Sequence, residues 1–161
     1  MELVFTDGRD ARFQMLCQAL DDYLDGVLGG EKQRSQYRQY NTLDRIHDVA
    51  LILENGEAIA CGGYKAFEPG VAEIKRVFAL PEHRGLGYGK AIMVALEGRA
   101  VRQGYHALVL ETGRLLRSAR ALYQALGYRE IANYGQYAEM KDSVCYQKDL
   151  CPPSGGAIET A

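Results

Sequence analysis

Residues 76–93 read RVFALPEHRGLGYGKAIM. A β-branched and aromatic run ends at Pro81 and is followed by Arg84, three alternating glycines (Gly85, Gly87, Gly89) and a helical pattern. Helix N-termini carry unpaired N–H groups and a partial positive charge, so a glycine-rich approach to a helix suits a phosphate group. Two familiar phosphate loops fail on spacing. A P-loop requires glycine at Arg84 and serine or threonine at Ala91, and the dinucleotide pattern G-x-G-x-x-G requires glycine at Lys90. A tight strand-to-helix turn needs only one or two glycines, whereas three beside an arginine point to backbone exposed for binding.

Outward from this stretch, period and turn chemistry set the order of elements. VAEIKRVFAL (71–80) reads as a long strand that Pro81 closes by removing a ladder donor. Alternation along it places Glu73, Lys75 and Val77 on one face, opposite Ile74, Phe78 and Leu80. Upstream, DVALILE and AIACGGYKAF are strands joined by Asn55-Gly56, a strong hairpin signal. ELVFT (2–6) is a first strand, and a helix over about 9–27 carries Phe13, Leu16, Leu20, Tyr23 and Leu24 on one stripe. EKQRSQYRQY (31–40) has a polar helical pattern. Downstream of the glycines, a helix runs to about 103 and HALVLET (106–112) is a buried strand. LLRSARALYQAL is a helix with Leu115, Ala119, Leu122 and Leu126 on its apolar face, stopped by Gly127. YREIA and SVCYQKDL complete a β-α-α-β-β-β-α-β-α-β-β order, which implies one mixed α/β domain over residues 1–150. The tail, 151–161, is too polar to pack and is expected to be flexible.

Composition narrows the function classes. The chain has 161 residues, 47% of them hydrophobic and 25% charged, which is ordinary for a globular domain. Nineteen basic against 21 acidic side chains give a net charge of -2, so no general pull toward nucleic acid or anionic membrane is expected. Cys17, Cys61, Cys145 and Cys151 form no C-x-x-C pair, and reduced thiols in the cytoplasm are the simpler reading. No signal pattern or run of about 20 apolar residues occurs, and His47, His83 and His106 lack metal-ligand spacing. The expectation is a cytoplasmic protein without a metal.

Arg84 through Gly89 forms R-x-x-G-x-G after a strand that ends in proline, and this resembles the pyrophosphate-binding motif of the GNAT N-acetyltransferases. ARALYQALGYRE (119–130) is similar to the family's A-x-x-L-Y-x-x-L-G-F/Y segment, and the element order matches over nearly the whole chain before the tail. The resemblance implies a mixed, mostly antiparallel central sheet flanked by helices, with acetyl-CoA as co-substrate. It also implies that Val77, Phe78 and Ala79 line the pantetheine arm. Arg84, Gly85, Leu86, Gly87, Tyr88, Gly89 and Lys90 would wrap the pyrophosphate.

Acetyl transfer to an amine needs a neutral nucleophile, yet an alkylammonium titrates near ~10.4 and is protonated at pH 7. Glu73 matches the place of the catalytic glutamate in several family members, although a plain ion pair with Lys75 or Arg76 would also explain it. The leaving thiolate needs a proton, and a phenol, titrating near ~10, keeps one at neutral pH. Tyr123 matches the family tyrosine that commonly gives it; the alternative is a core tyrosine. A backbone N–H of the strand, that of Val77, is expected to meet the oxyanion. Many family members carry asparagine seven residues before this tyrosine; Leu116 stands here, which implies weaker cofactor binding or use of Arg117, Ser118 and Arg120.

The family's usual acceptor route points to Arg34, Tyr37, Tyr40, Asn41, His47, Tyr134 and Tyr137. Arg34, Tyr37 and Tyr134 are the named acceptor candidates. Residues 31–48 mix arginines with acids, which fits a small amine better than a basic protein tail. The expectation is an acetyl-CoA-dependent N-acetyltransferase of small amines, possible as a homodimer. Protein or peptide acceptors, or a non-catalytic acyl-CoA-binding module, are the alternatives.

Overall fold

A computed structural model describes residues 1–28, 43 and 45–151. The polar stretch 31–40 and the tail beyond Cys151 lie outside the described residues. Among the described residues seven strands form one sheet: β1 (Glu2–Thr6), β2 (Asp48–Glu54), β3 (Glu57–Glu68), β4 (Val71–Ala79), β5 (Ala107–Gly113), β6 (Arg129–Ile131) and β7 (Ser143–Asp149). Their order is β1-β2-β3-β4-β5-β7-β6. The β1/β2, β2/β3, β5/β7 and β6/β7 pairs are antiparallel and β4/β5 is parallel, so the sheet is mixed and mostly antiparallel. Among the described residues three α-helices accompany it: α1 (Ala11–Val27), α2 (Tyr88–Arg102) and α3 (Arg117–Ala125).

The chain divides into two compact units. One takes the described part of Met1–Lys65 with Lys75–Leu96, and the other takes Ala66–Ile74 with the described residues from Glu97 onward. In the first, Asp10 caps α1 by accepting the Arg12 N–H at 2.8 Å. Phe13, Leu16, Cys17 and Leu20, at i, i+3, i+4 and i+7, then bury one face of α1 with Val49, Leu51, Cys61 and Phe78. The Asn55-Gly56 turn has positive φ at both residues, 52° and 83°, as a two-residue hairpin requires. Gly62 is glycine because of close approach: a Cβ there would meet Ile92 Cγ2 at 2.6 Å and Val77 Cγ2 at 3.1 Å.

In the second unit, Val71, Ala107 and Val109 form a core with Ile131 and Tyr134 against it. Helix α3 begins two residues later than its apolar pattern suggests. Leu115 precedes it and is 71% exposed, and the fully buried position on α3 is Tyr123. Ala119, Leu122 and Leu126 are half-buried as expected, and Leu116 and Tyr123 join that face in place of Leu115. Gly127, at φ 93°, ends it as expected.

Candidate active site

The glycine stretch folds as its spacing suggests. Pro81–His83 makes a single 3-10 turn, the chain passes through Gly85 (φ 77°) and Gly87 (φ 84°), and the Gly87 carbonyl takes the first α2 bond from Ala91 N–H at 3.0 Å. Both φ values lie in the left-handed region that disfavours a side chain, and a Cβ at either residue would face open space. The first-turn N–H groups of Tyr88, Gly89 and Lys90 have no carbonyl four residues back within α2. No acidic residue occupies that turn. Leu86, Arg84 and Lys90 are exposed. An anionic group such as a pyrophosphate fits this arrangement of open backbone donors with two cations. The Tyr88 hydroxyl is turned to Glu54 Oε2 at 3.2 Å, which leaves its N–H as its contribution to the loop. Arg84 Nη1 donates to the Tyr23 hydroxyl at 2.9 Å, with its guanidinium 4.2 Å from the ring centre. Tyr23 as a support for Arg84 was not legible in sequence, because 61 residues separate the two.

Strand β4 departs from simple alternation. Arg76 has φ 63° inside the strand, a left-handed conformation that a side-chain-bearing residue rarely adopts. Its guanidinium reaches Asp21 Oδ1 at 3.1 Å and the Cys17 carbonyl at 2.8 Å, while the Cys61 thiol donates to its carbonyl at 3.3 Å. Arg76 Nε is buried with no partner among the described residues. Phe78 joins the α1 core. The period-2 rule therefore cannot be carried from Glu73 through Arg76 to Val77, and the expectation that these two share a face does not follow. The sequence held one sign of this: Lys75 and Arg76 are adjacent charges in a buried run, which strict alternation accommodates poorly.

Glu73 is 1% exposed and pairs with Val109, the last position of a parallel register that runs Val71↔Ala107, Ala72↔Leu108, Glu73↔Val109. Tyr134, just before a 3-10 turn at Gly135–Tyr137, donates its hydroxyl to Glu73 Oε2 at 2.8 Å. The Tyr134 ring meets Phe67 edge-on at 4.9 Å and Tyr137 at 5.7 Å. Burial first, then the Glu73 charge, push the Tyr134 phenol far above its ordinary range, so it is a permanent donor. Burial likewise raises the Cys145 thiol to about 11, so it is a core group rather than a nucleophile.

Tyr123 is 7% exposed, with ring centres 6.0 Å from Tyr128 and 6.3 Å from Tyr146. Burial, and then the Glu111 charge, raise its phenol well above the ordinary range. It therefore holds its proton throughout neutral pH. No hydrogen bond among the described residues engages its hydroxyl. Near Leu116, Arg120 is committed to the Tyr146 hydroxyl at 3.0 Å and the Arg114 carbonyl at 3.2 Å, while Arg117 and Ser118 are exposed.

Val77 and Ala79 are half-buried on β4. Arg34, Tyr37, Tyr40 and Asn41 lie outside the described residues, and His47 is exposed. Among the described residues no group of three or more His, Cys, Asp or Glu is placed to hold a metal, and no helix is long and apolar enough to cross a membrane.

A mixed seven-stranded sheet with a glycine-approached helix after β4 is the arrangement of the acyl-CoA N-acyltransferase fold. The Acetyltransferase (GNAT) family profile matches residues 13–128, and the chain belongs to that family. It is 29% identical over 145 residues to the IAA acetyltransferase of Azospirillum brasilense, covering 88% of this chain and 92% of that one. A Klebsiella pneumoniae protein assigned to the acyl-CoA N-acyltransferases superimposes with a TM-score of 0.76 at 30% identity, over 93% of this chain and 97% of that one. The phosphinothricin acetyltransferase of Sinorhizobium meliloti, solved with AcCoA, shares the fold with a TM-score of 0.65 at 21% identity, over 96% and 92% of the two chains. The protein is an N-acetyltransferase by family.

Proposed function

We propose that the protein acetylates a primary amine of a small molecule with acetyl-CoA as donor. The observation that carries this reading is Glu73, a carboxylate 1% exposed whose Oε2 is fixed at 2.8 Å by Tyr134, in the strand that leads to the glycine loop. Acetyl-CoA, when bound, supplies an activated acetyl thioester. Gly85, Gly87, the first-turn N–H groups of α2, Arg84 and Lys90 would hold its pyrophosphate, with β4 backbone at Val77 to Ala79 along its arm. Glu73 takes the proton that an incoming ammonium must lose before its nitrogen can attack. The neutral nitrogen attacks the thioester carbon and the C–S bond breaks; the Tyr123 hydroxyl gives a proton to the departing sulfur and recovers one from the new amide nitrogen, which sheds its own as the amide forms. The small-molecule part of the reading draws support from the Azospirillum relative, named an IAA acetyltransferase, which aligns over most of both chains.

The test is a panel of amino acids, polyamines, aromatic amines and peptides, with acetyl-CoA, read by free thiol release and by mass spectrometry of the acetylated product. At least one small amine should turn over and generic peptides should not. Acetylation of peptides beside inactive small amines would overturn the substrate class. Acetyl-CoA binding without turnover on any acceptor would overturn the enzymatic reading.

A further inference from the structure

Tyr134 entered as an acceptor-binding candidate, but its hydroxyl is already spent on Glu73. We propose that Tyr134 is a positioning residue that acts through Glu73: it fixes one carboxylate oxygen and so holds the carboxylate in the orientation from which it takes the acceptor's proton. The inference rests on the reading of Glu73 as the base.

Three observations carry it. The O–H···O contact is 2.8 Å, the length of a strong hydrogen bond to a carboxylate. The acceptor is 1% exposed, so water does not replace a lost donor at no cost. The donor ring is held from two sides: Phe67 and Tyr137 meet it edge-on. A donor so held cannot follow the carboxylate if it rotates, so it selects one orientation.

Other titratable groups lie around the pair. Glu111 on β5 is negative and accepts the Ser143 hydroxyl at 2.7 Å; Cys145 on β7 and Tyr137 in the 3-10 turn stay protonated because burial raises both. Lys75 and Arg76 follow Glu73 along β4, and Arg76 is engaged by Asp21. Removing the Tyr134 hydroxyl takes away a neutral donor and leaves all of these charges in place.

The test is kcat, both KM values and the melting temperature for Tyr134→Phe, Glu73→Gln and the double variant. Phenylalanine keeps the ring contacts and removes only the hydroxyl. Without that donor the carboxylate is free to turn away from the acceptor, so kcat should fall by about 10-fold while both KM values and the melting temperature stay close to wild type. Glu73→Gln should lose more, and adding Tyr134→Phe to it should cost nothing further. If Tyr134→Phe keeps the wild-type kcat, raises the acceptor KM with kcat unchanged, or lowers kcat by the same factor in the Glu73→Gln background, the inference is overturned. The reading of Glu73 as base survives that result if Glu73→Gln alone loses turnover at neutral pH and regains it as pH rises. If Glu73→Gln turns over like wild type, both fall.

Discussion

The glycine loop and the surroundings of Glu73 solve opposite problems. From Pro81 to Lys90 the chain is largely exposed, its conformation is set by two left-handed glycines, and what it offers a ligand is backbone N–H. Around Glu73 the side chains are buried, Glu73 itself lies in a regular stretch of strand, and what is offered is a carboxylate that accepts the Tyr134 hydroxyl. The first is built by removing side chains and the second by packing them. A pyrophosphate carries its charge over many oxygens and can be met by several weak donors near water, whereas moving one proton requires one group with a controlled affinity. The two regions should therefore fail differently when substituted.

The largest effect expected is on proton delivery at a buried phenol. Tyr123→Phe keeps the ring packing and should lower kcat by roughly 10²-fold, with KM for acetyl-CoA less affected. Steady-state kinetics on the best small amine checks it, and near-normal turnover would remove Tyr123 from the chemistry. Next comes the loop. Gly87→Val forces a β-branched residue to φ 84° and fills open space over the first turn of α2, so it should weaken acetyl-CoA by roughly 10-fold or more. The thermal shift that acetyl-CoA gives the wild type should largely vanish. An unchanged shift would make the loop a turn and nothing more.

The smallest effect sharpens the comparison most. Tyr23→Phe removes the acceptor of the Arg84 bond as Tyr134→Phe removes a donor to Glu73, but Arg84 is exposed and water can replace the partner. Acetyl-CoA affinity should stay within about threefold, because exposed polar contacts contribute little. Calorimetry checks it. A tenfold loss would mean that Tyr23 presents Arg84 to the ligand and that the loop depends on side-chain positioning after all.

This contrast also explains what could be read from sequence. The loop is local: Arg84, Gly85, Gly87 and Gly89 lie within six residues, and glycine spacing reports the backbone angles directly. The sheet was legible for the same reason, from the Asn55-Gly56 turn, the apolar runs and Gly127. What escaped was long-range or broke a period. Tyr134 meets Glu73 across 61 residues, and no spacing rule joins them. Arg76 interrupts the alternation by a conformation that averages over strands do not include, so the face of Val77 could not be carried over from Glu73. Leu115 fell outside α3 because its apolar character matched the stripe while its chain position was still in the turn after β5.

The central claim is that Glu73 removes the acceptor's proton, and the most direct measurement is the ratio of wild-type to Glu73→Gln kcat as pH rises from about 6.5 to 9.5 on one small primary amine. At neutral pH the acceptor is almost wholly ammonium and needs the base; as pH approaches ~10 a growing share arrives already neutral. The account predicts a loss of roughly 10²-fold near neutrality that shrinks steadily with pH. A loss of the same size at every pH would contradict it and make Glu73 a group that places the acceptor without taking its proton.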